Sequence, residues 1–305
     1  MQGSESSQQP VAPSYATEWL NVNNPQRSAA KLGGSRKNII PAPDGVELRY
    51  KMKSIHFKVV LLFSMILFGI NATSIAQQTL DKRITVFTIG DSTMANKKAE
   101  GLPETGWGQV FQMFVDQTVI VKNRALNGRS SKSFITEGRW KSILDSLQAG
   151  DYVFIQFGHN DEKIQDSTRF TEPFTSYRIN LERFVRETRE KGATPILFTS
   201  IVRRKFENGF LTDTHGNYPL VVRQVAAEMN VPLVDLQLLT AGAVTALGDE
   251  ASKGIYLWTP PTDKFPEGRK DDTHLSVEGA NLIAKLAAQQ LILLENSLAK
   301  QIKIK

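Results

Sequence analysis

From residue 84 onward the apolar positions of the chain switch repeatedly between a period of two and a period of three to four. Ile84-Thr85-Val86-Phe87-Thr88-Ile89 holds five β-branched residues and one Phe, which predicts a short strand buried on both faces. Val119–Asn123, Tyr152–Phe157, Pro195–Ser200 and Pro232–Leu236 predict four more strands. Helices are predicted between them, near Trp107–Val115, Ser131–Glu137, Trp140–Leu147, Phe174–Lys191 and Leu220–Met229, with a closing helix over Ser276–Leu294 capped by Ser276. In the longest internal helix Tyr177, Leu181, Phe184 and Val185 share one face and charges occupy the other. Strands alternating with helices over short connections imply an α/β fold, with a parallel sheet covered on both sides. There is no internal repeat and no sign of a second domain in this region.

The first 76 residues follow no such pattern. Residues 1–51 are rich in Ser, Gln, Asn, Pro and Gly and are expected to be disordered. Met52 then opens a basic patch with Lys53 and Lys58, followed by an apolar run over Val59–Ile70 and by Ser74-Ile75-Ala76. That order is expected of a secretory signal peptide, Met52 to Ala76, cleaved after Ala76. The run is about 12 residues, short of the roughly 20 that span a bilayer. The expectation is therefore translation from Met52, a non-native extension over 1–51, and a domain over 77–305 that is secreted or periplasmic. The rival is a cytoplasmic tail with a membrane anchor.

Composition narrows the function classes. The 305 residues are 41% hydrophobic and 22% charged, enough for one well-cored domain. There is no cysteine, which excludes disulfides, a thiol nucleophile and Cys-based zinc sites. The net charge of +6 is uneven: residues 1–76 hold eight Lys/Arg against four Asp/Glu, and the rest hold 29 against 27. The body is nearly neutral, so nothing points to a nucleic-acid partner. No stable membrane partner is expected either.

Four polar stretches fall at ends of the predicted elements: Gly90-Asp91-Ser92-Thr93, Asn127-Gly128-Arg129-Ser130-Ser131, Gly158-His159-Asn160-Asp161 and Asp271-Asp272-Thr273-His274. In a parallel sheet the first three emerge on one edge, where open α/β sheets place their chemistry. Ser92 reads as a nucleophile or as a helix cap. A serine nucleophile needs a base, and the chain has four histidines: His56, His159, His215 and His274. His56 lies in the signal segment. His274 follows Asp271 by three residues, close enough for the carboxylate to orient the ring, with Asp272 as the runner-up. An oxyanion needs fixed donors. Gly128 and Asn160 can supply them, or can be an ordinary turn glycine and loop residue. His159 reads as structural.

Ser92, Gly128, Asn160 and His274, in this order and each at an element end, resemble the SGNH hydrolases, the superfamily of the GDSL esterases. The resemblance covers about residues 84–295. It implies a three-layer α/β/α sandwich with a five-stranded parallel sheet, flavodoxin-like in architecture. It also implies Ser92 as nucleophile, His274 as base and Asp271 as its orienter. Ser92, Gly128 and Asn160 would be the oxyanion donors, and no metal or organic cofactor is needed. Within the superfamily the chain is similar to rhamnogalacturonan acetylesterases. The residues that carry this are Gly-Asp-Ser-Thr-Met-Ala at 90–95, Gly106-Trp107-Gly108, Gly-Arg-Ser-Ser at 128–131, Phe157-Gly-His-Asn-Asp161 and Lys-Asp-Asp-Thr-His-Leu-Ser at 270–276. Thr93 stands where the wider lipase-like group has Leu.

That resemblance implies an acetylated polysaccharide substrate. Arg129 and the run Arg203-Arg204-Lys205 are candidates to meet galacturonate carboxylates, or are solvated faces. Trp258, in a Pro-rich loop over Gly254–Arg269, is the candidate sugar platform, whereas Trp107 and Trp140 read as core. His215 is expected on a surface loop, with cleft lining as the lesser alternative. The competing functions are a lipid or thioester hydrolase of the same superfamily, a xylan or glycan esterase, and a carbohydrate-binding protein without catalysis. The oligomeric state is not legible.

Overall fold

The computed structural model describes residues 83–304. The expected extension and signal segment lie outside the described residues. Five strands form one parallel sheet: β1 Ile84–Gly90, β2 Val119–Asn123, β3 Tyr152–Gln156, β4 Thr194–Phe198 and a short fifth strand, Leu233–Val234. β1 lies between β2 and β3; β4 follows β3, and the fifth strand takes the far edge. All the pairings are parallel, with Val86 opposite Val121 on one side and Tyr152 on the other.

The two-residue alternation of the strands divides the core into two layers. Val86, Phe154, Ile196, Phe198 and Val234 point to one face, and Phe87, Ile89, Val153, Ile155 and Leu197 to the other. The second face is covered by α2 Ser131–Thr136, α3 Arg139–Leu144, α4 Arg178–Glu190 and α5 Tyr218–Glu228, through Phe134, Trp140, Phe184 and Val222 among others. The first face is covered by α1 Trp107–Val110, α6 Leu236–Ser252 and the closing helix α7 Val277–Ile292. The result is the expected three-layer α/β/α sandwich. The buried stripe of α7 includes Ala280, Ala284, Ala287 and Ala288, small side chains that let the helix lie close. Gly279 is required there: a Cβ would fall 1.8 Å from the Ile255 carbonyl oxygen. Ser276 caps this helix, accepting the Gly279 N–H at 3.0 Å and donating to the Gly254 carbonyl at 2.7 Å.

Three features depart from the sequence-based elements. The predicted helix near Trp107–Val115 is a four-residue α-turn that tightens to 3₁₀ over Phe111–Phe114. Helix α6 was not predicted, because two glycines and a mixed apolar pattern obscure it; Gly248, at φ 73° and ψ 177°, kinks it near its end. The stretch read as a Pro-rich loop contains half of an antiparallel hairpin, Tyr256–Thr259 paired with Arg269–Leu275. The second strand reads Arg-Lys-Asp-Asp-Thr-His-Leu, and so polar a run carries no strand signal.

Candidate active site

Gly90 ends β1, and the chain turns back at once, with the Asp91 carbonyl accepting the N–H groups of Met94 and Ala95. Ser92 sits in this turn and starts no helix, which removes the capping alternative. The turn is fixed by Asp91, which is fully buried. One of its oxygens accepts the Thr93 N–H at 2.9 Å and the Thr93 hydroxyl at 2.8 Å, and the other faces His159 Nδ1 at 3.2 Å. Burial alone would raise the Asp91 pKa, but the His159 charge and these hydrogen bonds outweigh it and bring it to about 2. His159 thereby ties the Ser92 turn to the loop that carries Asn160.

The hairpin brings His274 over the same edge. The Ser92 hydroxyl lies 2.9 Å from His274 Nε2, and His274 Nδ1 lies 2.7 Å from Asp271. The other Asp271 oxygen accepts the backbone N–H groups of Thr273 at 2.8 Å and His274 at 2.9 Å. Partial burial opposes ionisation of Asp271, but the His274 ring and these N–H donors hold its carboxyl well below the usual carboxylate range. An ionised Asp271 accepts a hydrogen bond from the Nδ1–H of neutral His274, which leaves Nε2 as the acceptor facing Ser92. Asp272, the runner-up, instead accepts from Arg204 at 2.7 Å and from the Trp258 indole N–H at 2.8 Å.

Gly128 and Asn160 line the same cleft, of about 460 Å³, together with Ser92, Glu104, Asn127, His159, Lys163, Arg203, Thr273 and His274. Gly128 turns at φ 76°, a conformation that favours glycine. The Asn160 amide nitrogen donates to the Arg129 carbonyl at 3.1 Å, and among the described residues its second N–H has no bonded partner. The two loops are joined from beneath by Asp161, buried and pushed up to about 7 mainly by that burial. It accepts from the Ser131 N–H and hydroxyl and from the Thr171 hydroxyl.

The three residues expected to bind substrate are engaged with other parts of the protein. The Arg129 side chain turns to Glu137 at 3.0 Å and is absent from the cleft lining. His215 is no surface residue: it is 2% exposed, with one ring nitrogen on the Ile201 carbonyl at 2.8 Å and the other on Glu162 at 2.9 Å. Its burial follows from packing edge-to-face on His159, with ring centres 4.6 Å apart, a tertiary contact no local pattern announces. Trp258 is no open platform. The Arg204 guanidinium and the Lys253 ammonium stand 4.9 and 4.8 Å from its ring centre, and it does not line the cleft. Of the basic run only Arg203 reaches the cleft, and it pairs with Glu162. Sequence reasoning missed Glu104 and Lys163; the second follows Asn160 by three residues, which was its only signal.

A parallel sheet with a serine turn at its C-terminal edge, facing a His–Asp pair, defines an ester hydrolase of the SGNH type. Residues 88–282 match the GDSL-like lipase/acylhydrolase family. The chain is 41% identical over 213 residues to rhamnogalacturonan acetylesterase RhgT of Bacillus subtilis, an alignment covering 69% of this chain and 90% of that protein. It is 37% identical over 204 residues to the probable rhamnogalacturonan acetylesterase YesY of the same organism, covering 67% and 90%. Among solved structures, protein YxiM of Bacillus subtilis superposes with a TM-score of 0.61 at 27% identity, over 71% of this chain and 58% of that one. The chain therefore belongs to the GDSL-like lipase/acylhydrolase family. It is a carboxylic ester hydrolase similar to rhamnogalacturonan acetylesterases, as its sequence implied.

Proposed function

We propose that this hydrolase removes O-acetyl groups from the pectic polysaccharide rhamnogalacturonan. The observation that carries the chemistry is the unbroken relay from Ser92 through His274 to Asp271 at the rim of a polar cleft. The names of the two Bacillus subtilis relatives support the substrate. Ser92 Oγ attacks the acetyl carbonyl as its proton passes to His274 Nε2. The oxyanion takes hydrogen bonds from the Ser92 and Gly128 N–H groups and from the free N–H of Asn160. His274 then gives its proton to the departing sugar oxygen, leaving acetyl-Ser92. Water, deprotonated by His274, attacks this ester and releases acetate. Every proton in the cycle passes through His274.

The test is acetate release from acetylated rhamnogalacturonan, acetylated xylan and acyl lipids. The highest kcat/KM is expected on the pectic substrate; a preference for the lipids would replace this reading with that of a lipase. Export of the enzyme is part of the same proposal, supported by the Met52–Ala76 pattern and by a polymer substrate too large to enter a cell.

The relay also fixes a pH dependence. On an aryl acetate, kcat/KM is expected to rise about tenfold per pH unit on the acid side and then level, because only neutral His274 accepts the Ser92 proton. Asp271, its pKa depressed, stays ionised along this limb and adds no second proton. The pH–rate profile checks this: a limb of slope two would mean that a second group must also ionise.

A further inference from the structure

The charged groups around the cleft are compensated, with one exception. Glu104 pairs with Lys97 at 2.8 Å and with Arg269 at 2.9 Å. Arg203 pairs with Glu162, and His274 faces Asp271 at 2.7 Å. Lys163 lines the same cleft, and among the described residues its ammonium has neither an ion-pair partner nor a hydrogen-bond acceptor. The two carboxylates whose fields reach it, Asp91 and Glu162, are committed to His159 and to Arg203 with His215. Partial burial, with Arg169 and Arg203 nearby, lowers the Lys163 pKa, as expected where positive charge exceeds negative.

The backbone that carries this charge is held in place, while the side chain is exposed. The Lys163 N–H closes a turn on the Asn160 carbonyl at 3.3 Å, so its backbone is held to the residue proposed to bind the oxyanion. A lysine offers a compact charge on a flexible stem and does not demand the two-pronged geometry an arginine would. With no second unpaired cation lining the cleft among the described residues, the site suits a monoanion that approaches together with the ester.

We propose that Lys163 is a carboxylate subsite, receiving the carboxylate of a uronic acid unit in the chain whose acetyl ester lies at Ser92. The proposal rests on the polysaccharide acetylesterase reading and names which chemical group of the polymer the cleft selects. Arg129 and Trp258 are engaged elsewhere, so Lys163 is the selecting residue that remains.

The test compares an acetylated, galacturonate-containing oligosaccharide with its methyl-esterified form, which keeps the sugar and the acetyl group but loses the charge. The readout is the ratio of kcat/KM on the acid to kcat/KM on the methyl ester. Lys163→Met is expected to lower this ratio roughly fivefold, mostly through KM on the acid, and Lys163→Arg to restore most of it. Raising the salt concentration is expected to lower the wild-type ratio toward that of Lys163→Met. An unchanged ratio in Lys163→Met would overturn the subsite and leave the acetylesterase reading intact. A wild-type enzyme that hydrolyses 4-nitrophenyl acetate but releases acetate from neither oligosaccharide would overturn both.

Discussion

Ser92→Ala is expected to lower kcat on an aryl acetate by roughly 10⁵-fold or more, the scale seen when a serine nucleophile is deleted. No other hydroxyl lies within hydrogen-bond distance of His274 Nε2 among the described residues. The bond pattern of the turn does not involve the Ser92 side chain: Asp91, Thr93 and His159 hold it. The melting temperature should therefore stay near that of the wild type, since a small, half-buried side chain outside that pattern contributes little stability. Steady-state kinetics beside a thermal melt checks both parts. Near-wild-type turnover in a folded Ser92→Ala protein would mean that the attack comes from elsewhere.

The second large effect is expected on the other side of the carbonyl. Asn160→Ala should lower kcat by about 10²–10³ with little change in KM, the cost of one lost oxyanion donor. The geometry favours a transition-state effect because one Asn160 N–H is held by the Arg129 carbonyl while the other is free. The bonded hydrogen fixes the amide plane, so the free one is aimed before the oxyanion forms. A loss confined to KM would instead make Asn160 a ground-state contact to substrate. Asp161, next in the chain, anchors the loop independently through Ser131 and Thr171, so the substitution should not undo it.

The parts of this protein legible in its sequence are those whose signal is local. β1 was legible because Val86, Phe87 and Ile89 are apolar on both faces and Gly90 stops the run. The order of the four polar blocks was legible because a parallel sheet delivers successive strand ends to one edge. Asp271 was separable from Asp272 by its spacing to His274, whose Nδ1 lies 2.7 Å from the Asp271 carboxylate. What stayed hidden depends on partners distant in the chain. His215 looks like a loop residue until Glu162 and Ile201 close around it, 53 and 14 residues away. Trp258 looks like a sugar platform until Arg204 and Lys253 stack over it. The hairpin strand Arg269–Leu275 was invisible because only Leu275 enters the core, while its other side chains are polar and carry no strand pattern.

That hairpin has a consequence for how the enzyme fails. Ser92 and Asn160 leave adjacent strands of the five-stranded sheet, whereas Asp271 and His274 belong to a separate two-stranded unit. The unit is anchored by Tyr256, Leu257 and Leu275, all buried, with Tyr256 and Leu275 in the core on the first face of the sheet, and by polar ties: the Tyr256 hydroxyl on the Val202 carbonyl, the Thr105 N–H on the Leu275 carbonyl, and Arg204 on Asp272. The His–Asp pair therefore shares its core with the sheet that carries Ser92. Loss of hydrolysis on heating is expected to coincide with unfolding, and a substitution that stabilises that core should extend the working lifetime of the enzyme as well.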